Sequence, residues 1–369
     1  MADIKTILIA HNYTKDSFAS MSYYLAHHLA DLGNRVVFIS HKPFFDESKI
    51  INKGKGEIII CSWPSEKRPT SIKDALWFSK LYFKYKPDVV IGHFVGANIT
   101  IGISKLISIN KVKTFSYYHT LVQQIILDQK RTSLKRTFLF LRKKIFYKLF
   151  CDVIVCPSEL AKKDLENNYY SKKGLVILNP MKDRFQKSNN QDKNKIVISY
   201  LGRLDPSKGI VELIEAFKIY RKGNKFSNIV LNIAGTGSQE QAIKKMIDNE
   251  STITFFGGLS YDDVDDYLSE AHFTIIPSKM DALNMVGIES MMNKTPLLVS
   301  NTTGLAHSLE EGRECFKFDS NTKSMVLLFE KVERNFEQQP QMAINARNTY
   351  LTKFSMEKYC INFSNQIFQ

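Results

Sequence analysis

Short β-branched runs alternate with helix-spaced apolar residues from one end of this 369-residue chain to the other, and that alternation limits its possible folds most. Strands are expected at 6–11, 35–40, 57–62, 88–93, 113–119, 152–157 and 174–178. A second series is expected at 195–201, 228–235, 252–257, 272–277, 296–300 and 315–318. Between them lie stretches such as 20–32, where Tyr24, Leu25, His28, Leu29 and Leu32 recur at helical spacing. Strands apolar on both faces need cover on both sides, which is the condition of a parallel sheet between helices. The pattern occurs twice and breaks at 179–195, where Asn179-Pro180 leads into a polar run over 187–194 that reads as a linker. An α/β architecture of two facing, doubly wound domains follows, covering 1–186 and 187–354. Such sheets bind ligands at the C-terminal ends of their strands, so a shared central cleft is expected.

Charge separates the halves. The net charge is +14, yet residues 1–190 carry 31 basic and 15 acidic side chains while residues 191–369 carry 20 and 22. This excludes a uniformly basic nucleic-acid coat protein and favours two units with different jobs. The first apolar run, Thr6 to Ala10, is strand-length and lacks the long core of a secretory signal. In the first half the longest stretch free of charge, 89–104, contains His93, Asn98 and Thr100 and is too short to span a membrane. Cys61, Cys151, Cys156, Cys315 and Cys360 are odd in number without paired spacing, so reduced thiols and a cytoplasmic location are expected.

Three stretches of the second half suit an anion and a sugar. In the first, a strand ends at Gly202, and Arg203 and Lys208 flank the turn before a helix at 210–220. A planar guanidinium and a mobile ammonium suit a diphosphate, although two loop cations alone equally read as solvated charges. Gly235-Thr236-Gly237 follows the next strand; by itself it is a glycine turn. In the third, Asp281 sits in the loop after a strand, and a helix begins near Asn284 with Glu289 in its second turn. The amides of Asn284, Met285 and Val286 would then point into the cleft as an anion site. Carboxylates accept hydrogen bonds from sugar hydroxyls, though each acid alone is more often a helix-surface residue.

Together, Gly-Arg-x-x-x-x-Lys-Gly, Gly-x-Gly and acid-x7-acid resemble the pattern of the retaining glycosyltransferases of the large bacterial "glycosyl transferases group 1" family. Phe115 to Thr120, Val153 to Ser158 and Val176 to Pro180 resemble the family's first-half strands. The resemblance implies the GT-B fold, two Rossmann-like domains around a cleft, with an acceptor-binding first domain and a nucleotide-sugar-binding second one. It goes with a terminal helix over 355–369 that packs back on the first domain. It also implies that Arg203 and Lys208 bind the donor's diphosphate, helped by Gly202, Gly235, Gly237 and the amides at 284–286. Glu289 would hold the ribose, Asp281 the donor sugar, and His119 would lie near the transferred sugar. The nucleotide sugar, UDP-linked by expectation, is a co-substrate, and neither cofactor nor metal is implied. Two departures stand out. The first acid of the pair is usually Glu and here is Asp281, and the family's glycine-rich N-terminal loop is replaced by Asp16 to Ser20, with Ser17 the expected contact.

Asp263-Val264-Asp265 matches the Asp-x-Asp metal motif of the other large glycosyltransferase fold. In context it reads instead as Ser260 capping a helix whose first turn is acidic. Lys130, Arg131, Lys135, Arg136, Arg142, Lys143, Lys144 and Lys148 crowd residues 129–150 with no acid among them. One reading of that segment is a core helix with a cationic outer face. The other is a surface that docks on anionic lipid, which suits a lipid-linked or surface-glycan acceptor at the inner face of the cytoplasmic membrane. A small soluble acceptor, a basic nucleic-acid-binding protein and a non-catalytic sugar-nucleotide sensor are the alternatives; for nucleic acid no recognition motif is found, and none is expected as a partner.

Overall fold

The computed structural model describes residues 4–11, 20–41, 49–66, 68–93, 98–128, 133–186, 191, 192 and 194–369. The first sheet has eight strands: β1 (Thr6–Ala10), β2 (Arg35–Ser40), β3 (Lys49–Lys53), β4 (Gly56–Ser62), β5 (Val89–Gly92), β6 (Lys113–Tyr117), β7 (Val153–Cys156) and β8 (Gly174–Val176). The second has six: β9 (Ile196–Leu201), β10 (Ile229–Ala234), β11 (Ile253–Gly257), β12 (Phe273–Ile276), β13 (Leu297–Ser300) and β14 (Cys315–Phe318). Their orders are β3-β4-β2-β1-β5-β6-β7-β8 and β11-β10-β9-β12-β13-β14. All neighbouring strands pair in parallel except β3 with β4. The expected pair of doubly wound α/β domains is thus present.

β3 is the strand that periodicity does not find. Its sequence, Lys-Ile-Ile-Asn-Lys, has no apolar run, and it is a half-exposed edge joined to β4 by a tight turn at Gly54. Lysines at both ends suit an edge that must not pair with another chain. The interior strands behave differently: Ile7, Leu8, Ile9 and Ala10 of β1 are all fully buried because helices cover both faces.

Helices α1 (Met21–Asp31), α2 (Ile72–Tyr85), α3 (Asn98–Ile107), α4 (Val122–Asp128), α5 (Ser133–Leu149) and α6 (Glu159–Tyr169) accompany the first sheet. Around the second lie α7 (Ile210–Gly223), α8 (Glu240–Met246), α9 (Val264–Ser269), α10 (Met285–Met292), α11 (Thr322–Arg334) and α12 (Gln339–Thr349). The last helix is α13 (Met356–Phe368). Local chemistry fixes many of their ends. At α2, Ser71 accepts from the Asp74 amide while the Asp74 carboxylate accepts from the Ser71 amide, a reciprocal capping box. α9 departs from expectation: it starts at Val264, and Ser260 donates to the Asp263 carboxylate at 2.6 Å instead of capping the helix. The Asp263 amide donates to the Ser260 carbonyl at 3.2 Å, closing a turn over 260–263 that sets Ser260 ahead of the helix start.

One face of the first sheet is covered by α1 and α13, whose Leu25, Leu29, Tyr359 and Phe363 share a core with Ile7 and Phe115. The other face carries Phe78, Ile101, Tyr147 and Leu165 from α2, α3, α5 and α6. The chain crosses between the sheets at two places that lie side by side. Met181 bridges to Ser355, the Met181 amide donates to the Phe354 carbonyl at 2.9 Å, and Arg347 pairs with Asp183 at 2.6 Å.

Phe363 is fully buried and packs on Phe115 and Tyr117 at ring separations of 5.4 and 6.1 Å. Although it lies at the end of the chain, Phe363→Ala is expected to cost about 3–5 kcal/mol, read as a lower urea midpoint of the first domain's unfolding.

Candidate active site

Strand order reverses between β1 and β5 in the first sheet and between β9 and β12 in the second. Crevices open beyond such switch points because the crossing helices leave to opposite faces. His11 follows β1 and His93 follows β5; Gly202-Arg203 follows β9 and Pro277 to Asp281 follow β12. Between the domains the loops after β9 and β12, together with His119, Pro157 and Asn179 of the first domain, line a cavity of about 350 Å³, a size suited to a small-molecule ligand. His119, Gly202, Arg203, Lys208, Asp281, Asn284, Met285 and Val286 all line it.

On the second domain's side, α10 starts at Met285 with Asn284 as its cap, the Asn284 side chain accepting from the Gly287 amide at 2.9 Å. First-turn amides of a helix have no partner inside it, and Met285 and Val286, the first residues of α10, line the cavity. Lys208 Nζ lies 2.5 Å from Asp281 Oδ2, which also accepts from Asn284 Nδ2 at 3.0 Å. Arg203 is bound by Asp205 and, across the cleft, by Asp128 at the end of α4.

Gly235, Gly237 and Glu289 are not among the cavity's lining residues. A Cβ on Gly235 would sit 1.8 Å from the Gly202 carbonyl oxygen, and one on Gly237 2.6 Å from the Leu204 backbone. These glycines let the loops after β9 and β10 touch. The Glu289 carboxylate is 13% exposed and takes a bond from Arg184 Nη2 at 3.2 Å. Burial pushes its pKa up, against the lowering effect of that guanidinium. Arg184 also pairs twice with Asp265 at 2.8 and 3.0 Å and donates to Tyr261 Oη at 2.6 Å. Asp265, the second acid of the Asp-x-Asp match, is therefore an anchor for Arg184. Among the described residues, no group of three or more His, Cys, Asp or Glu could hold a metal ion.

The first domain contributes a histidine stack. β6 ends at Tyr117, so His119 stands beyond the strand and not within it. Its Nε2 lies 2.5 Å from His93 Nε2, and His93 Nδ1 lies 3.1 Å from Ser22 Oγ. One ring donates the proton the other accepts, so the pair is held with one proton between the two nitrogens. His11 packs on His93 at 4.0 Å. Burial pushes His119 down to about 4, and burial with the His119 charge pushes His11 down to about 3.

The domains touch directly beside the cavity. Ser158 accepts from the Ala161 amide as the cap of α6 and donates to the Ala282 carbonyl of the Asp281 loop. Gly304 fits this contact because a Cβ there would lie 2.0 Å from that same carbonyl oxygen. Sequence reasoning did not find Asp128, Arg184, His93 or His11. Arg184 and Asp128 sit in no motif, and the charged and hydroxyl groups they bind lie 75 or more positions away in sequence.

Ser17, Lys130 and Arg131 lie outside the described residues. Lys135, Arg136, Arg142, Lys143, Lys144 and Lys148 are all on α5, away from the cavity lining. As a core helix with a cationic outer face, α5 would bury its apolar residues, and it does so only in part. Phe140, Phe146, Tyr147 and Phe150 turn inward, whereas Leu134, Phe138, Leu141, Ile145 and Leu149 are exposed. The helix is apolar on two sides, so its aromatics do not all serve the core.

A cavity between two doubly wound domains, at the ends of their parallel strands, invites comparison with known proteins of this architecture. The family described as glycosyl transferases group 1 matches residues 181–349, and glycosyltransferase family 4 matches residues 19–182. The chain belongs to the group 1 glycosyltransferases and has the GT-B fold. It is similar to the lipopolysaccharide 1,2-N-acetylglucosaminetransferase of Salmonella typhimurium, 26% identical over 240 residues, covering 58% of this chain and 61% of that enzyme. It also resembles the capsular polysaccharide biosynthesis glycosyltransferase CapM of Staphylococcus aureus, at 23% identity over 309 residues and 78% of each chain. The chain spans 52% and 61% of the length of the curated relatives it matches first. Among solved structures, HepE of Anabaena in complex with UDP superposes with a TM-score of 0.70 at 12% identity, over 99% of both chains, a likeness of fold.

The three buried imidazoles make stability depend on pH. Their folded-state pKa values lie below the unfolded value near 6.5, so the unfolded chain binds more protons as pH falls. Stability should be full above about pH 6.5 and decline toward pH 4, by at most about 1.4 kcal/mol per pH unit for each imidazole. Urea midpoints at pH 7.5 and 5 check this, and an unchanged midpoint contradicts burial of neutral rings.

Proposed function

We propose that this protein is a retaining, metal-independent glycosyltransferase. It moves a sugar from a nucleotide-diphosphate donor, a UDP-sugar first among them, to a lipid-linked or surface-polysaccharide acceptor at the cytoplasmic membrane face. The observation that carries the reading is the convergence of Arg203, Lys208, Asp281 and the first residues of α10 on one cavity that His119 also lines.

In this reading the donor's diphosphate lies against Arg203, Lys208 and the first turn of α10. Breaking the bond from the sugar's anomeric carbon leaves negative charge on the phosphate, and preorganised cations and amides at that place lower the barrier. With two cations and a helix start in position, the leaving group needs no metal for charge neutralisation. Asp281 accepts bonds from the donor sugar's hydroxyls and Glu289 from the ribose, with Arg184 orienting the Glu289 carboxylate and opposing the burial that raises its pKa. His119, neutral at physiological pH, offers a hydrogen bond near the transferred sugar without adding charge. Retention is carried over from the family resemblance.

Acceptor and location rest on α5. At about 100° per residue, its exposed Leu134, Phe138, Leu141, Ile145 and Leu149 fall within an arc of roughly 80°. Lys135 and Arg142 border that arc on one side, Lys144 and Lys148 on the other. An apolar ridge rimmed by cations matches the boundary between anionic headgroups and acyl chains. No described helix is long and apolar enough to cross a membrane. The names of the Salmonella and S. aureus relatives, in lipopolysaccharide and capsule synthesis, support a glycan acceptor. With a small soluble acceptor the ridge would have no role.

Lys208→Ala should lower sugar transfer or donor hydrolysis by about 10²–10³-fold with the thermal midpoint preserved, measured by nucleotide-diphosphate release across a panel of sugar nucleotides. Retained activity would remove the site assignment, and anomeric NMR of the product tests retention. The wild-type chain should sediment with vesicles containing anionic lipid at low salt. Neutralising Lys135, Arg142, Lys144 and Lys148 together should weaken this by about 10²–10³-fold, at about 1 kcal/mol per cation. Phe138→Ser with Leu141→Ser should weaken it at every salt concentration, and sedimentation unaffected by either set contradicts docking through α5.

A further inference from the structure

The cations that face the cavity already have partners within the chain. Arg203 is bound by Asp205 and Asp128, and Lys208 by Asp281. Two cations thus meet three carboxylates, and an arriving diphosphate would meet a locally negative loop. For a diphosphate to bind there, a carboxylate has to give way.

Asp205 is fixed within its own domain, its Oδ1 accepting from the Ser238 amide at 3.1 Å and hydroxyl at 2.9 Å. Asp281 is held by Asn284 Nδ2 and by the backbone bridge of its loop to Thr303. Asp128 differs because it comes from the opposite domain, as the last residue of α4. Its Oδ1 accepts from the Ser207 amide at 3.1 Å, and its Oδ2 from the Ser207 hydroxyl at 2.9 Å and Arg203 Nη2 at 3.1 Å. An amide, a hydroxyl and a guanidinium converging on two anionic oxygens form a donor set that suits a phosphate equally well. The carboxylate is only 12% exposed, so it fills that place and does not hover over it.

We propose that Asp128 is an internal stand-in for the donor's phosphate, an autoinhibitory clasp between the domains that the nucleotide's anion displaces on binding. The inference rests on the donor-site reading above. Donor binding is then an exchange of one anion for another on Arg203 and Ser207, and it releases the C-terminal end of α4 from the second domain. The affinity measured for a nucleoside diphosphate includes the work of breaking the clasp.

The test is calorimetric titration of UDP, GDP and ADP, separately, into the full chain and into Asp128→Asn and Asp128→Ala. Asparagine keeps the shape if alanine proves unstable. At least one nucleotide should bind the variants roughly three- to tenfold more tightly, the scale of one ion pair with its hydrogen bonds. In the wild type, hydrogen exchange at residues 122–128 should accelerate when that nucleotide is added; in Asp128→Ala it should already be fast and should not change. Wild-type binding that both variants leave unchanged or weaken overturns the clasp alone. Binding to none of the three proteins overturns the donor-site reading and the clasp with it.

Discussion

A parallel strand buried on both faces has its backbone satisfied along its length and can present unpaired polar groups only at its ends. Both sheets here are of that kind, and in both the strand order reverses next to the first strand of the domain, at β1/β5 and at β9/β12. Most of the chemically active groups of the cleft hang from those two reversals or from the strand beside them. The histidines follow β1, β5 and β6, the cations follow β9, and the acid loop follows β12. The glycines that sequence patterns single out serve this arrangement by letting backbone approach backbone, as Gly235 does at Gly202 and Gly209 does at the Pro277 carbonyl.

Charge compensation is the second organising feature. In the cleft Arg203 pairs with Asp128 and Asp205 and Lys208 pairs with Asp281, and a separate cluster joins Arg184 to Asp265 and Glu289. Half-buried charges must be paired, and a site meant for an anionic ligand must pair its cations provisionally when empty. Partners from the same domain are held by further hydrogen bonds. The partner from the opposite domain is held only through the cleft, which ties occupancy of the site to the relation between the domains.

The excess positive charge of the first half acquires a shape from α5. The segment is too rich in apolar residues for a solvated helix, and the core absorbs only part of them. What remains outside is an apolar ridge with cations along both borders, a surface with a direction that net charge alone does not specify.

Local periodicity was enough to read the two-domain α/β fold, because burial on both faces leaves uninterrupted β-branched runs in the sequence. The spacing of Arg203, Lys208 and Asp281 within single loop-helix units likewise made much of the second domain's half of the cavity legible, whereas Glu289 from the same motif lies outside the lining. β3 escaped because an exposed edge strand needs no apolar pattern, and α5 was ambiguous because its apolar residues run around most of the helix. Ser260 has the sequence context of a cap, yet its hydroxyl donates to the Asp263 carboxylate and α9 begins only at Val264. Asp128, Arg184 and the pairing of His93 with His119 were decided by tertiary structure alone. Their partners are brought close by chain crossings between elements distant in sequence, and such contacts impose no period on the sequence that could announce them.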